Sequence, residues 1–105
     1  MDDFKVIYRI LKAIYDAMDY DEFDFNTISP EALRVTPQKR DALLVMLLNR
    51  GLIDGAKLIP VAGGSVQVKF LGKPRLTLDG LEYLEENSLM QKAAKAVKGI
   101  VDIIV

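Results

Sequence analysis

The chain has 105 residues, 50% of them hydrophobic, with 14 Lys and Arg against 15 Asp and Glu and a formal charge of −1. It holds neither Cys nor His, which excludes a disulfide framework, a thiolate zinc site, a cysteine nucleophile and the usual general base. An enzyme made from it would have to work with carboxylates, Lys or Tyr, so no catalysis, cofactor, metal or small-molecule substrate is expected.

The near-neutral total hides a division along the chain. Residues 1–31 carry eight acids against three bases. Residues 34–75 carry eight bases (Arg34, Lys39, Arg40, Arg50, Lys57, Lys69, Lys73, Arg75) against two acids, and residues 76–105 five acids against three bases. Such asymmetry is information about partners rather than fold. The length suits one domain with its own core. Met1-Asp2-Asp3 is acidic where a secretory leader would be basic. The apolar stretch 99–105 is too short to span a bilayer and contains Asp102. A cytoplasmic protein without membrane contact is expected.

Residues 3–18 read as a helix. Lys5, Arg9, Lys12, Asp16 and Asp19 recur every three or four residues as one wet stripe. Ile7, Leu11, Ile14 and Met18, with Val6, Ile10, Ala13 and Ala17 beside them, form an apolar face wide enough to need cover from two directions. In the acidic loop 19–28, Phe23 and Phe25 alternate with Asp24 and Asn26 as in a short strand.

Ser29-Pro30-Glu31 is an N-cap, a proline at the first helical position and an acid near the positive helix end, and opens a short helix over about 29–34. Thr36-Pro37 repeats the signal and opens a longer helix that closes at Arg50-Gly51. Two helices across a tight break, the second longer, make a helix-turn-helix over about 29–51.

A hairpin follows over about 52–71. Val66, Val68 and Phe70 alternate with Gln67 and Lys69, and Gly63-Gly64 supplies the tip. Thr77 caps a helix over about 77–87, with Leu76 placed to staple against Leu81. Ser88 and Gln91 read as a capping box for a last helix, 89–105, with Met90, Ala93, Val97, Ile100 and Ile104 along one face. The order describes one mainly α domain (α+β), a winged helix-turn-helix with two C-terminal helices.

Leu76-Thr77-Leu78-Asp79-Gly80-Leu81-Glu82-Tyr83-Leu84 resembles the Leu-Thr-x-x-Gly-x-x-Tyr-Leu signature that follows the wing in many winged-helix proteins. With Glu85-Glu86-Asn87 and the Lys-rich amphipathic stretch after it, the whole chain resembles the YjcQ-like family of small bacterial and prophage proteins. The resemblance implies a winged-helix fold and hands over no catalytic residues.

In the helix from Pro37, Leu43, Leu44, Leu47 and Leu48 share the core face, which turns Gln38, Ala42, Val45, Met46 and Asn49 outward. Gln38 and Asn49 can bond adenine edges, and Lys39 and Arg50 flank them as phosphate contacts. No Arg or Lys stands in the middle of that face, although Arg–guanine is the commonest specific contact. Arg40 lies nearer the core row, placed to pack or to pair with an acid. Val45 and Met46 fit a protein interface at least as well as a groove of DNA. On the hairpin, Lys57, Lys69, Lys73 and Arg75 suit phosphate contact, or guard an edge strand.

The expected partner is double-stranded DNA, held weakly and mostly through phosphates by a phage or prophage-related regulator. The alternative is a protein-interaction module using Val45 and Met46. The last helix is expected to make a homodimer through Met90, Ala93, Val97, Ile100 and Ile104, or else to cover the first helix within one chain. Gly63-Gly64-Ser65 lacks the Lys and helix of a phosphate loop, and Asp24 and Pro30 stand where a calcium loop begun at Asp19 needs Gly and Glu. Tyr8, Tyr15, Tyr20 and Tyr83 read as core-rim residues.

Overall fold

A computed structural model describes residues 3–98, those from 89 onward by backbone alone. The elements are α1 (Asp3–Asp16), α2 (Pro30–Leu33), α3 (Pro37–Asn49), β1 (Ile53–Pro60), β2 (Val66–Leu76) and α4 (Leu78–Lys98). Short 3₁₀ turns at Ala17–Asp19 and Phe25–Ile28 lie between α1 and α2. No helix among the described residues is long and apolar enough to cross a membrane.

The apolar face of α1 is the centre of the core. Ile10, Leu11 and Ile14 are fully buried and Val6 nearly so. As the width of that face requires, it is covered from more than one side, by α4 and by β2. Ile28, Leu33, Leu43, Leu44, Leu47, Ile53 and Leu84 complete the cluster, and no polar or charged residue is buried among the described residues. Met18, expected on the apolar row, is instead 56% exposed, because the helix tightens into the 3₁₀ turn at Ala17 and the row loses its phase.

The strand expected around Phe23 and Phe25 is absent. The Asp24 carboxylate accepts from the Asn26 N–H (3.0 Å), and the Thr27 hydroxyl donates to the Asp24 carbonyl (2.7 Å). These local bonds give the backbone a 3₁₀ turn instead of a ladder. They also occupy Asp24, the middle of the acidic run. The alternation still has a packing consequence. Phe23 is buried, and Phe25 sits edge-on to it at 5.0 Å and against Phe70 at 5.2 Å, joining this loop to the hairpin.

The tandem caps form as read. Ser29 Oγ accepts from the Ala32 N–H and Thr36 Oγ1 from the Lys39 N–H, each at 3.1 Å, with proline in the first turn of both helices. The hairpin is longer than expected and has two parts. At its base Ile53 and Asp54 pair with Leu76 and Arg75; beyond a bulge at Gly55 the arm pairs Ala56–Pro60 with Val66–Phe70. Gly55 has φ +91°, and a Cβ there would stand 2.9 Å from the Lys73 carbonyl.

The two C-terminal helices are one. No Gly or Pro interrupts residues 81–98, and Asn87 Nδ2 donates back to the Tyr83 carbonyl (2.8 Å) as a helix-interior residue. Ser88 therefore lies inside α4 and caps nothing. Met90, Ala93 and Val97 stand on α4 beyond the residues whose side chains are described, and Ile100 and Ile104 lie outside the described residues.

The Leu76–Leu84 motif has a clear physical content. The Thr77 N–H donates to the Leu52 carbonyl (3.1 Å) and its hydroxyl to the Gly51 carbonyl (2.5 Å), while Thr77 Oγ1 accepts from the Gly80 N–H (3.0 Å). Gly80 is buried so close to β1 that a Cβ would sit 2.0 Å from the Leu52 carbonyl oxygen. Since that neighbour is backbone, Gly80→Ala should cost about 3 kcal/mol through displacement of α4. Thr77→Ala should cost about 1 to 2 kcal/mol through the lost cap. Urea unfolding followed by circular dichroism checks both, and an unchanged midpoint for Gly80→Ala would refute the close approach.

Candidate nucleic-acid interface

α3 presents the faces its sequence implies. Leu43, Leu44 and Leu47 are buried and Leu48 is half-buried; Gln38, Ala42, Met46 and Asn49 are exposed and Val45 is half-buried. Arg40 turns inward. Its Nε donates to the Ile28 carbonyl (3.1 Å) and its Nη1 pairs with Asp41 (3.0 Å), so it clasps the loop before α2 onto α3.

The four hairpin cations fall into two pairs. Lys73 Nζ donates to the Tyr20 carbonyl, fastening the bulge to the loop after α1, and Arg75 Nε pairs with its register partner Asp54 at 2.7 Å. Lys57 and Lys69, on the arm, are register partners of each other, both exposed and without a hydrogen bond or ion pair among the described residues. Directly opposed like charges destabilise a two-stranded ladder. The tip beyond them is a turn with Gly63 at φ +90° and Gly64 at +82°.

Lys39 does not stand alone at the start of α3. It pairs with Asp3 (3.2 Å) and lines a groove of about 640 Å³ together with Lys5 and Arg9 of α1 and Arg34 of the α2–α3 turn. Sequence reading placed Lys5 and Arg9 on the wet stripe of an acidic segment and stopped there. The signal that would have found them is their four-residue spacing, which carries them along one side of α1. Lys12, further along the stripe, is already taken: its hydrogen bond to Asp16 (2.6 Å) holds its ammonium above the usual lysine range.

Arg34 owes its position to an unusual helix end. The Val35 N–H reaches the Pro30 carbonyl (3.0 Å) and the Arg34 N–H the Glu31 carbonyl (3.2 Å), the paired bonds of a Schellman motif. This needs a left-handed residue, and Arg34 has φ 59°, ψ 44°. α3 ends in the same pair of bonds, Leu52 N–H to Leu47 and Gly51 N–H to Leu48, and there glycine fills the position at φ +74°. Among the described residues Arg34 is the one non-glycine with positive φ.

The far end of α3 has a different surroundings. Met46, Asn49 and Arg50 line a groove of about 840 Å³ whose other wall carries Asp79, Glu82 and Glu86 of α4 and whose floor includes Leu47 and Tyr83. Three carboxylates beside Asn49 and Arg50 oppose the approach of phosphate. Phe4 (68% exposed) and Met46 (59% exposed) leave this groove open and apolar, and Val45 does not line it. Tyr8 and Tyr83 pack against the core as expected, whereas Tyr15 and Tyr20 are exposed.

The YjcQ protein family matches residues 8–103 of the chain. No curated protein and no solved structure matches it.

A left-handed conformation costs a non-glycine residue about 1 kcal/mol. Arg34→Gly should therefore raise the stability of the fold by about that amount, seen as a higher urea midpoint. A drop in midpoint would mean that the Arg34 side chain holds the turn together.

Proposed function

The chain belongs to the YjcQ protein family, and we propose that it is a small winged-helix DNA-binding protein. In this reading it is a phage or prophage-related regulator, acts as a homodimer, and touches DNA weakly and mainly through phosphates. What carries the reading is the Lys57–Lys69 pair. Two exposed lysines opposed across the arm of the wing, with no acid against them, are unfavourable until an anion lies between them. A phosphate backbone supplies that anion and gains entropy by releasing its own counterions.

The exposed first half of α3, with Gln38 and Ala42, offers a surface for base edges. Lys39 joins it with a phosphate contact that Asp3 partly neutralises. Lys73 and Arg75 hold the wing in place before they hold DNA, and Asn49 and Arg50 sit beside the acidic wall. Sequence-specific reading is thus confined to few side chains, and non-specific, salt-sensitive binding dominates.

A second reading, a protein-interaction module, is favoured by the open groove at Met46. An apolar floor under an acidic rim suits a basic amphipathic segment of a partner. Met46 is 59% exposed, so the neutral Met46→Gln should leave the melting temperature nearly unchanged. It should abolish capture of a partner if this groove is where one docks, and unchanged capture counts against the reading.

Fluorescence anisotropy with a labelled duplex decides the first reading. The folded protein should bind at low salt and lose affinity steeply as salt rises. Lys57→Gln with Lys69→Gln should weaken binding alike on every sequence and lower the slope of log K against log salt by about 2. No binding at low salt would sink the DNA reading. Homodimerisation is read separately by light scattering, where a mass of 11.7 kDa unchanged across concentrations removes the dimer.

A further inference from the structure

Lys5 and Arg9 arrive at the 640 Å³ groove from α1, Arg34 and Lys39 from the turn and first turn of α3, and Val6, Val35 and Thr36 line the rest of it. Among the described residues no acid lines it. Asp3, paired with Lys39 at its edge, is itself 43% exposed. We propose that this groove is a phosphate-binding site that takes one nucleotide unit, the phosphate between Arg9 and Arg34 and the sugar against Val35. The site rests on the nucleic-acid reading only for the source of that unit, which is either the backbone of a duplex or a free nucleotide.

Three features converge on it. The Arg9 and Arg34 side chains are exposed and make no hydrogen bond or ion pair among the described residues, so no described contact uses their charge. Both are arginines, whose planar donor fork matches the geometry of phosphate oxygens. And Arg34 is kept in a backbone conformation that glycine would adopt at less cost, within the same motif that Gly51 completes at the end of α3. A strained residue whose side chain has no partner in the fold marks a candidate for binding through that side chain. The apolar floor adds what a bare cluster of surface lysines lacks, a surface against which a sugar can lie. The volume is that of an ordinary ligand cleft.

The test uses the full-length protein labelled with ¹⁵N and three probes in parallel: inorganic phosphate, adenosine 5′-monophosphate and a short duplex. The site requires amide shifts at Val6, Arg9, Arg34, Val35 and Thr36 with the nucleotide, stronger than with phosphate alone. The variant carrying Arg9→Gln and Arg34→Gly, which should fold because Arg9 is exposed and the glycine relieves the turn, should lose those shifts. Where the duplex binds, this variant should also lower the salt slope by about 1 while shifts on the hairpin arm persist. Groove shifts with the nucleotide but no duplex binding would uphold the site and remove the DNA reading. Duplex binding with shifts confined to the arm and α3, unchanged in the variant, would overturn the site and leave the DNA reading standing. No shift in the groove with any probe overturns it outright.

Discussion

The packing of Gly80 on the Leu52 carbonyl decides how the rest of the molecule is assembled. At this one place the end of α3, the start of β1 and the start of α4 meet through backbone atoms, with Thr77 bonding to Gly51, Leu52 and Gly80 at once. A side chain at position 80 would push α4 away from the hairpin. Leu84, one turn further on, would then leave the core, and α1 would lose the helix that covers one side of its apolar face. The motif Leu-Thr-x-x-Gly-x-x-Tyr-Leu is a joint. It says how the wing is anchored to the helices and says nothing of what the protein binds.

Because the core is wholly apolar among the described residues, charge is left to the surface, where it is sorted along α3. At its N-terminal end Lys39 of the helix stands with three cations, Lys5 and Arg9 of α1 and Arg34 of the turn; at its C-terminal end the helix meets three carboxylates of α4. The net charge of the region between them has little meaning for an approaching polyanion. At physiological salt the field is felt over about 8 Å, less than the length of a thirteen-residue helix at about 1.5 Å per residue. A duplex would be drawn to one end of α3 and turned from the other, and an amphipathic cationic segment would be sorted the opposite way. The two readings of this protein therefore address different ends of one helix.

Most of the fold was legible because its signals are local. Ser29-Pro30 and Thr36-Pro37 each satisfy orphan amides within one turn, and the spacing of Leu43, Leu44 and Leu47 fixes a core face without reference to anything else. Misreadings arose where a local pattern had two outcomes. Alternation at Phe23 and Phe25 is equally the pattern of a strand and of two aromatics on either side of an Asp-capped turn, and the hydrogen bonds of Asp24 chose the turn. Ser88 and Gln91 spell a capping box only if a helix has already stopped, and nothing between Gly80 and Ser88 stops one. The candidate site was less legible than the fold. Whether a cation is free depends on an acceptor distant in sequence: the Asp54 carboxylate for Arg75, the Asp3 carboxylate for Lys39, the Tyr20 carbonyl for Lys73. Lys5 and Arg9 were hidden for the complementary reason, since the segment they belong to is acidic in total while Arg34 and Lys39 share their groove.

Segment charge thus locates a basic function only as well as sequence neighbours stand for spatial ones. In the hairpin they do so poorly, and two of its four cations hold the wing to its base and to the loop after α1. Among the described residues and away from the acidic wall beside Arg50, what remains unspent is a smaller and differently placed set: Lys57 and Lys69 on the arm, Arg9 and Arg34 beside the turn. Each pair carries a cost that the fold alone does not require, repulsion across a ladder in one case and a left-handed arginine in the other. Residues that lower stability without serving any contact within the chain are where selection for binding is most directly visible. By that criterion the wing arm and the α1–turn groove are the two places where the proposed anion contacts are to be sought first.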